Sequence, residues 1–152
     1  MIFEINLDSS VIISNLAQDI HSQEVIKAIS KLSSIDAQIY VSLVVYFEIW
    51  TGIELIDDSI KKKEAIENFE QMLSSLGTKI VSDNLTIAKR AARAQAEYKK
   101  RGRARDILIP DFLIGANAEF YSRKILTTNP RDFMKYFSEV EVFTPAKIIE
   151  KL

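Results

Sequence analysis

Short apolar segments alternate with longer segments of helical periodicity along this chain, and this alternation limits the fold more than any other feature of the sequence. Five of the short segments have the length and pattern of buried strands: Ile2–Leu7, Gln38–Val41, Lys79–Val81, Lys124–Thr127 and Val140–Phe143. Strands that are separated by helices form βαβ units, which require a parallel sheet with right-handed crossovers. We therefore expect a three-layer α/β/α fold around a central five-stranded parallel sheet.

Helix signals fill the intervals between these strands. After Asp8-Ser9-Ser10, helical periodicity continues to about Leu32 with an interruption near His21. Later helices are expected at 43–56 behind an N-cap at Ser42, at 59–76 before Gly77, from a cap at Asp83 or Asn84 to near Gly102, and from Pro110 to about Tyr121. In such folds, ligands bind beyond the carboxyl ends of the strands, which is where Asp8 lies.

Composition limits both the number of domains and the kinds of metal site. With 152 residues, 47% of them hydrophobic and only three prolines and four glycines, we expect one ordered domain over residues 1–152. The chain has no cysteine, and His21 is its only histidine. Thiolate and multi-histidine sites are therefore excluded, and any metal ion must be held by oxygen.

The chain lacks the marks of a membrane or secreted protein. No apolar stretch approaches the roughly 18 residues needed to cross a bilayer, and the N-terminal sequence has no basic region of the kind that begins a signal peptide. We expect a cytoplasmic protein without membrane association.

Four acidic residues stand where a strand ends or a helix begins or passes: Asp8, Glu48, Asp111 and Asp132. Three of them also have simple structural explanations. Asp8 could cap the following helix, Asp111 could stabilise a first helical turn, and Asp132 could partner a capping Asn129. Glu48 is different because it lies in a very apolar segment, Val44 to Trp50, where burial of an unpaired carboxylate is costly. Its helical neighbours include Thr51 and Gly52, which leave space above the carboxylate.

Convergence of these acids would create a metal site. Their mutual repulsion would raise some of their pKa values unless a divalent cation neutralised them. Oxygen ligands in an open cleft favour Mg²⁺ or Mn²⁺, which can activate a water molecule for attack on a phosphodiester. The sequence leaves open whether one ion or two would bind.

The segments around these acids resemble the four motifs of PIN domains, most closely those of the VapC-type toxin ribonucleases. The similar segments are Leu7-Asp8-Ser9-Ser10-Val11, Val41-Ser42 through Glu48 to Gly52, Asp111-Phe112-Leu113-Ile114-Gly115-Ala116, and Thr127-Thr128-Asn129-Pro130-Arg131-Asp132-Phe133. The resemblance covers nearly the whole chain. Ser9 replaces the commoner threonine, and Gly115 stands where alanine is usual.

This resemblance implies a PIN-like fold and a Mg²⁺- or Mn²⁺-dependent endoribonuclease, usually a homodimer that a cognate antitoxin neutralises. Asp8, Glu48 and Asp111 fall on the metal-binding and catalytic acids of the family, and Asp132 falls on its last acidic position. Ser9, Asn129 and Thr127 fall on supporting positions. In the fourth motif either Asn129 or Asp132 can be the ligand, because the family varies there.

Positive charge is concentrated in one segment although the chain has a net charge of −1. Between Lys89 and Arg105 there are eight basic residues and one acid. The helix from Lys89 to Arg101 and the loop beyond it could carry RNA phosphates toward the acids, and the candidate RNA contacts are Lys100, Arg101, Arg103 and Arg105. A solvated helix face explains the same charges equally well.

Two other functions fit parts of the pattern. A catalytically silent PIN-like module would bind a protein or RNA without cleaving it. A phosphoacceptor receiver domain also places acids at strand ends, but it needs an acidic pair after the first strand. Asn6-Leu7-Asp8 provides one acid, so the receiver is the weaker alternative.

Overall fold

The computed structural model describes residues 1–102, 107 and 109–152, apart from the side chains of Asp132 and Met134. Five strands and eight helices occur in this part of the chain. In chain order they are β1 (Glu4–Leu7), α1 (Ser9–Ala17), α2 (Ser22–Ser34), β2 (Gln38–Ser42), α3 (Leu43–Glu54), α4 (Ser59–Ser75), β3 (Lys79–Val81), α5 (Leu85–Lys100), α6 (Ile109–Tyr121), β4 (Lys124–Leu126), α7 (Arg131–Met134), β5 (Glu141–Phe143) and α8 (Pro145–Lys151).

The five strands form one parallel sheet in the order β3-β2-β1-β4-β5, which confirms the expected three-layer α/β fold. The central strand β1 pairs with β2 through Ile5 and Ile39 and with β4 through Asn6 and Ile125. The strands β2 and β3 lie on one side of β1, and the later strands β4 and β5 lie on the other side. The order therefore reverses between β1 and β4, and the carboxyl ends of these two strands are the expected place for a ligand.

Alternation along β1 decides which side chains meet the helices. Ile5 and Leu7 are buried in the hydrophobic core on one face of the sheet. Asn6 points to the opposite face, where it contacts Asn117 of α6. Asp8 is two residues after Asn6, so it is on the same side of the strand. The alternation therefore directs the end of β1 toward α6.

Most helix boundaries agree with the sequence expectations to within two residues. The interruption near His21 is the break between α1 and α2, where Gln18 adopts a left-handed conformation with φ of 54°. Helix α6 begins one residue before Pro110, because a proline in the first turn lacks only an N–H that the helix does not use. Helix α8 was not predicted, although Thr144 caps it and Pro145 is its first residue.

No helix in residues 1–102 or 109–152 is long and apolar enough to cross a membrane.

Candidate active site

Asp8 lies at the carboxyl end of β1 and is 5% exposed. Its backbone N–H donates to the carbonyl of Leu126 at 3.0 Å, which joins it to the end of β4. Its Oδ1 accepts the backbone N–H of Ser9 at 2.9 Å, so Asp8 is the N-cap of α1. The capping role that the sequence left open is therefore real, and the same residue also lies at the switch in strand order.

Two hydroxyl groups hold the other oxygen of Asp8. Oδ2 accepts the hydroxyl of Ser10 at 2.9 Å and that of Thr127 at 2.7 Å. Thr127 is fully buried, and its Oγ1 also accepts the backbone N–H of Asn129 at 2.9 Å. Ser10 Oγ accepts the backbone N–H of Thr128 at 3.1 Å. These contacts fix the Asp8 carboxylate and attach the segment after β4 to the start of α1.

Thr127 was predicted as a supporting residue, whereas Ser10 was not. Ser10 could have been found from its position two residues after Asp8, where a hydroxyl can donate a hydrogen bond back to the carboxylate. Ser9, which was predicted, contacts Glu48 through its side chain instead.

Glu48 projects from α3 and is half-buried, and its Oε1 is buried without a hydrogen-bond partner among the described residues. Burial raises the pKa of Glu48, a hydrogen bond from Ser9 lowers it, and the charges of Asp111 and Asp8 raise it. Asp8 and Asp111 are therefore near enough to Glu48 for their charges to act on its carboxylate. A buried carboxylate oxygen without a donor is costly unless a cation or a proton compensates it.

Space is present beside Glu48, as the small neighbouring residues indicated. Glu48 is the charged residue of an otherwise apolar cleft of about 300 Å³ between α1, α3 and α4. Gly52 lines this cleft, and a Cβ added at Gly52 would meet no atom within 4 Å. The remaining lining residues are Ile13, Leu16, Ala17, Ile49, Ile53, Ile56 and Ala65.

Asp111 lies in the first turn of α6, as expected, and is half-buried. A second polar network, which sequence reasoning missed, holds α6 against β1. Asn6 Nδ2 donates to Asn117 Oδ1 at 2.9 Å, and Asn117 Nδ2 donates to Asp83 Oδ1 at 2.8 Å. Both asparagines are almost completely buried. Because Asp8 continues β1 and Asp111 begins α6, this network fixes the two acids relative to each other.

The remaining predicted residues are less closely tied to the site. Asn129 contributes its backbone N–H, while its side chain is exposed. Asp132 is in α7, but its side chain lies outside the described part of the structure. Arg101 is exposed at the end of α5 and forms an ion pair with Glu97, and Lys100 is exposed beside it. Arg103 and Arg105 lie outside the described residues.

The donor set fits a hard divalent cation in its chemistry. Carboxylate oxygens are the ligands that Mg²⁺ and Mn²⁺ prefer, and Oε1 of Glu48 has no other partner within the described residues. In the described part of the chain, no three His, Cys, Asp or Glu side chains are arranged to hold a metal ion. Mg²⁺ usually keeps several waters and binds one or two carboxylates directly, so the site does not need three acids in contact with it.

Comparison with known proteins gives a family and a fold. The model of the family described as PIN domain matches residues 5–138. No curated protein matches the sequence of the chain.

Solved structures share the fold. A crystal structure of FitAcB from Neisseria gonorrhoeae is 25% identical, covers 93% of this chain and 98% of its own, and has a TM-score of 0.75. VapBC2 from Rickettsia felis, bound to a DNA fragment from its promoter, is 15% identical, with coverages of 93% and 98% and a TM-score of 0.75. A toxin-antitoxin complex from Klebsiella pneumoniae is 23% identical, with coverages of 93% and 97% and a TM-score of 0.65.

Proposed function

Because this chain belongs to the PIN domain family, we propose that it is a metal-dependent endoribonuclease that hydrolyses RNA phosphodiester bonds. The main support for the proposal is the environment of the Glu48 carboxylate. Its Oε1 is buried without a partner among the described residues, and the charges of Asp8 and Asp111 act on its carboxylate. This is the arrangement expected of acids that surround a cation.

Asp8, Glu48 and Asp111 are the proposed ligands and catalytic acids, with Asp132 or Asn129 as the ligand from the fourth motif. When bound, Mg²⁺ or Mn²⁺ would supply an activated water and stabilise charge that develops on the phosphate. The chain contributes rigidity. The backbone N–H of Ser9 and the hydroxyls of Ser10 and Thr127 hold the Asp8 carboxylate in one orientation, so little reorganisation is needed when substrate binds.

The proposed biological role is that of the toxin of a toxin-antitoxin pair, acting in the cytoplasm as a homodimer and as one nuclease domain. The apolar cleft beside Glu48 supports a protein partner, since Ile13 in its wall remains 49% exposed. An antitoxin segment with apolar side chains would cover this surface. A basic side chain at its end could pair with Glu48 and so block the acids.

One observation favours the alternative of a catalytically silent PIN-like module that only binds RNA or protein. Within the described residues the acids do not form a set of three that could hold a metal ion. In that case, divalent ions would bind weakly, and replacing Asp8 or Asp111 would not change the biological effect of the protein.

The deciding experiment is cleavage of structured and single-stranded RNAs by the purified chain with Mg²⁺, Mn²⁺ or EDTA. Asp8→Asn and Asp111→Asn are the test variants, because asparagine keeps the size of the side chain and can still cap a helix. Asp57→Asn, at an exposed position between α3 and α4, is the matched control. We expect metal-dependent cleavage that both test variants lose and the control keeps.

The opposite result is equally informative. An absence of cleavage under every condition, together with no Mn²⁺ binding by calorimetry, would contradict the nuclease proposal. The silent binding module would then be the leading interpretation. For the toxin role, expression of the chain in a bacterial host should arrest growth, and the Asp8→Asn variant should not.

A further inference from the structure

A second cleft lies between α5 and α6, outside the cluster of acids. Its volume is about 340 Å³, and it is open to solvent along the outer side of the two helices. We call it the arginine cleft, because Arg90 and Arg93 of α5 and Arg123 after α6 line it, together with Thr86, Glu119 and Phe120. Three cations and one anion therefore line this cleft, although the net charge of the chain is −1.

The side chain of Arg90 has structural contacts within the fold. Its Nε lies 2.7 Å from Oε2 of Glu119, although its N–H is not aimed at that oxygen. A second nitrogen of the guanidinium donates to the carbonyl of Tyr136 at 2.8 Å, and the group stacks 4.8 Å from the ring of Phe137. Arg90 therefore links α5, α6 and the segment after α7, and Glu119 neutralises it.

The side chains of Arg93 and Arg123 have no such structural contacts among the described residues. Both side chains are exposed, and neither forms a hydrogen bond, ion pair or ring contact with another residue in the described part of the chain. They line the same cleft from opposite helices, where their like charges repel. Lys89 extends this positive surface, since it lines an adjoining cleft with Arg93.

The backbone of Arg123 ends α6 in a left-handed conformation. Its φ is 59°, in the left-handed region that favours glycine at the end of a helix. Its N–H donates to the carbonyl of Ala118 at 2.7 Å, as expected of a residue that ends α6. Glycine would adopt this conformation with less strain, as it would at Gln18 and Asp36, which have similar φ values.

We propose that the arginine cleft binds backbone phosphates of the RNA substrate at a distance from the acids, an inference that rests on the proposed nuclease function. Arg93 and Arg123 would contact phosphates, and Phe120, which is 50% exposed, offers a ring on which a base can stack. Glu119 and Arg123 lie 8 and 12 residues beyond Asp111, about 12 and 18 Å along α6 at 1.5 Å per residue. A single strand of a few nucleotides can span this distance.

Arg93 belongs to the basic helix that the sequence suggested for RNA, whereas Arg123 lies outside that segment. Lys100 and Arg101 are at the C-terminal end of α5, and Arg93 and Arg123 line one cleft because α5 packs against α6. The open shape of the cleft and the exposed ring favour a nucleic-acid strand over an isolated small anion.

The test measures binding separately from cleavage. A fluorescein-labelled single-stranded RNA would be titrated in EDTA with the wild-type chain and with Arg93→Gln/Arg123→Gln, followed by fluorescence anisotropy. The control is Lys61→Gln/Lys63→Gln, which removes the same charge from exposed positions on α4. We expect the Kd to rise at least about tenfold in the arginine variant and to change less than about twofold in the control. A plot of the logarithm of the association constant against the logarithm of the salt concentration should become shallower in the arginine variant. The magnitude of its slope should decrease by about 1.4, which is about 0.7 for each lost phosphate contact.

Arg123→Gly is a second variant that separates binding from folding. It should unfold at a temperature at least as high as the wild type, because strain is relieved, and still lose RNA affinity. In the active protein, the arginine variants should raise KM for long RNAs and leave kcat unchanged, and cleavage of a dinucleotide should be unaffected.

Several outcomes would overturn the inference. Equal loss of affinity in the lysine control would show a net-charge effect only. Unchanged RNA affinity in the arginine variant, or calorimetric binding of inorganic phosphate or polyglutamate at the cleft without RNA binding, would remove RNA as the ligand. Failure of the nuclease function gives a distinct result, namely RNA binding through the cleft with no cleavage under any metal condition.

Discussion

The hydroxyl of Thr127, directly after β4, donates a hydrogen bond of 2.7 Å to Oδ2 of Asp8, directly after β1. The same oxygen of Thr127 accepts the backbone N–H of Asn129 at 2.9 Å. One buried side chain therefore joins the carboxyl ends of the two strands between which the sheet order reverses.

Replacing Thr127 with valine tests these two hydrogen bonds. Valine has nearly the same shape but no hydroxyl, so the Asn129 N–H loses its partner and Asp8 loses one donor. We expect the free energy of unfolding to fall by about 1–3 kcal/mol, measured by urea denaturation. RNA cleavage should fall further than the unfolded fraction explains, because the Asp8 carboxylate is less firmly held. Thr127→Ser, which keeps the hydroxyl, should retain most activity, and equal activity of the valine variant would contradict the assigned role.

Glu48 should make the stability of the chain depend on pH. Burial raises its pKa above the usual 4.5, the hydrogen bond from Ser9 lowers it, and the charges of Asp111 and Asp8 raise it, for a net increase. Between the unfolded and the folded pKa, the folded chain binds more protons than the unfolded chain, so stability falls as pH rises through this window. The stabilising effect is therefore complete below the unfolded pKa and is lost above the folded pKa.

The Glu48→Gln variant cannot ionise, so it should gain stability relative to the wild type as pH is raised through that window in metal-free buffer. Urea denaturation at a series of pH values gives this difference directly. Added Mn²⁺ should stabilise the wild type more than the variant, because a ligand that binds the folded state shifts the equilibrium toward it. A pH-independent difference between the two proteins would show that Glu48 is not perturbed.

The network that holds α6 to β1 should be sensitive to loss of Asn117. Alanine at this position leaves the buried amide of Asn6 without its acceptor and Asp83 without a donor. We expect a loss of about 1–3 kcal/mol in the free energy of unfolding, together with weaker Mn²⁺ binding measured by calorimetry, since Asp8 and Asp111 lose their fixed relation. Asn68→Ala, at an exposed position on α4, is the control and should change stability by less than about 0.5 kcal/mol.

Gly115 should not tolerate a side chain. A Cβ at this position would lie 2.6 Å from Cδ2 and 2.8 Å from Cζ of Phe137, which is 1% exposed. Gly115→Ala should therefore destabilise the chain by about 1–3 kcal/mol through overpacking, measured by thermal and urea denaturation. Combining it with Phe137→Leu should cost less than the sum of the two single changes. Strict additivity would mean that the ring moves aside without strain.

The five strands and the places of Asp8 after β1 and of Asp111 in the first turn of α6 could be predicted because they depend on local patterns. Apolar runs mark the strands, and acids that follow a strand or open a helix are visible in a linear sequence. Glu48 could be identified from its apolar neighbours, since a carboxylate there needs a compensating interaction. Helix α8 carried a recognisable signal in Thr144 and Pro145, but seven residues are too few for a clear periodicity.

Contacts between distant segments could not be predicted. Asn6 and Asn117 are 111 residues apart, and neither is unusual in its own segment. Arg93 and Arg123 line one cleft because of the way α5 packs on α6, which depends on side-chain packing over both helices. The role of Gly115 also depends on a distant segment, because only the position of Phe137 leaves no space for an added methyl group.

The contact between Gly115 and Phe137 also bears on how related sequences change over time. Alanine at position 115 requires a smaller or differently placed group at position 137, and a phenylalanine packed as in this chain requires glycine. The two positions should therefore covary among relatives, with the glycine and the large ring inherited together. A lineage that acquires one of these changes first would pass through a less stable intermediate, so the order of substitutions is constrained.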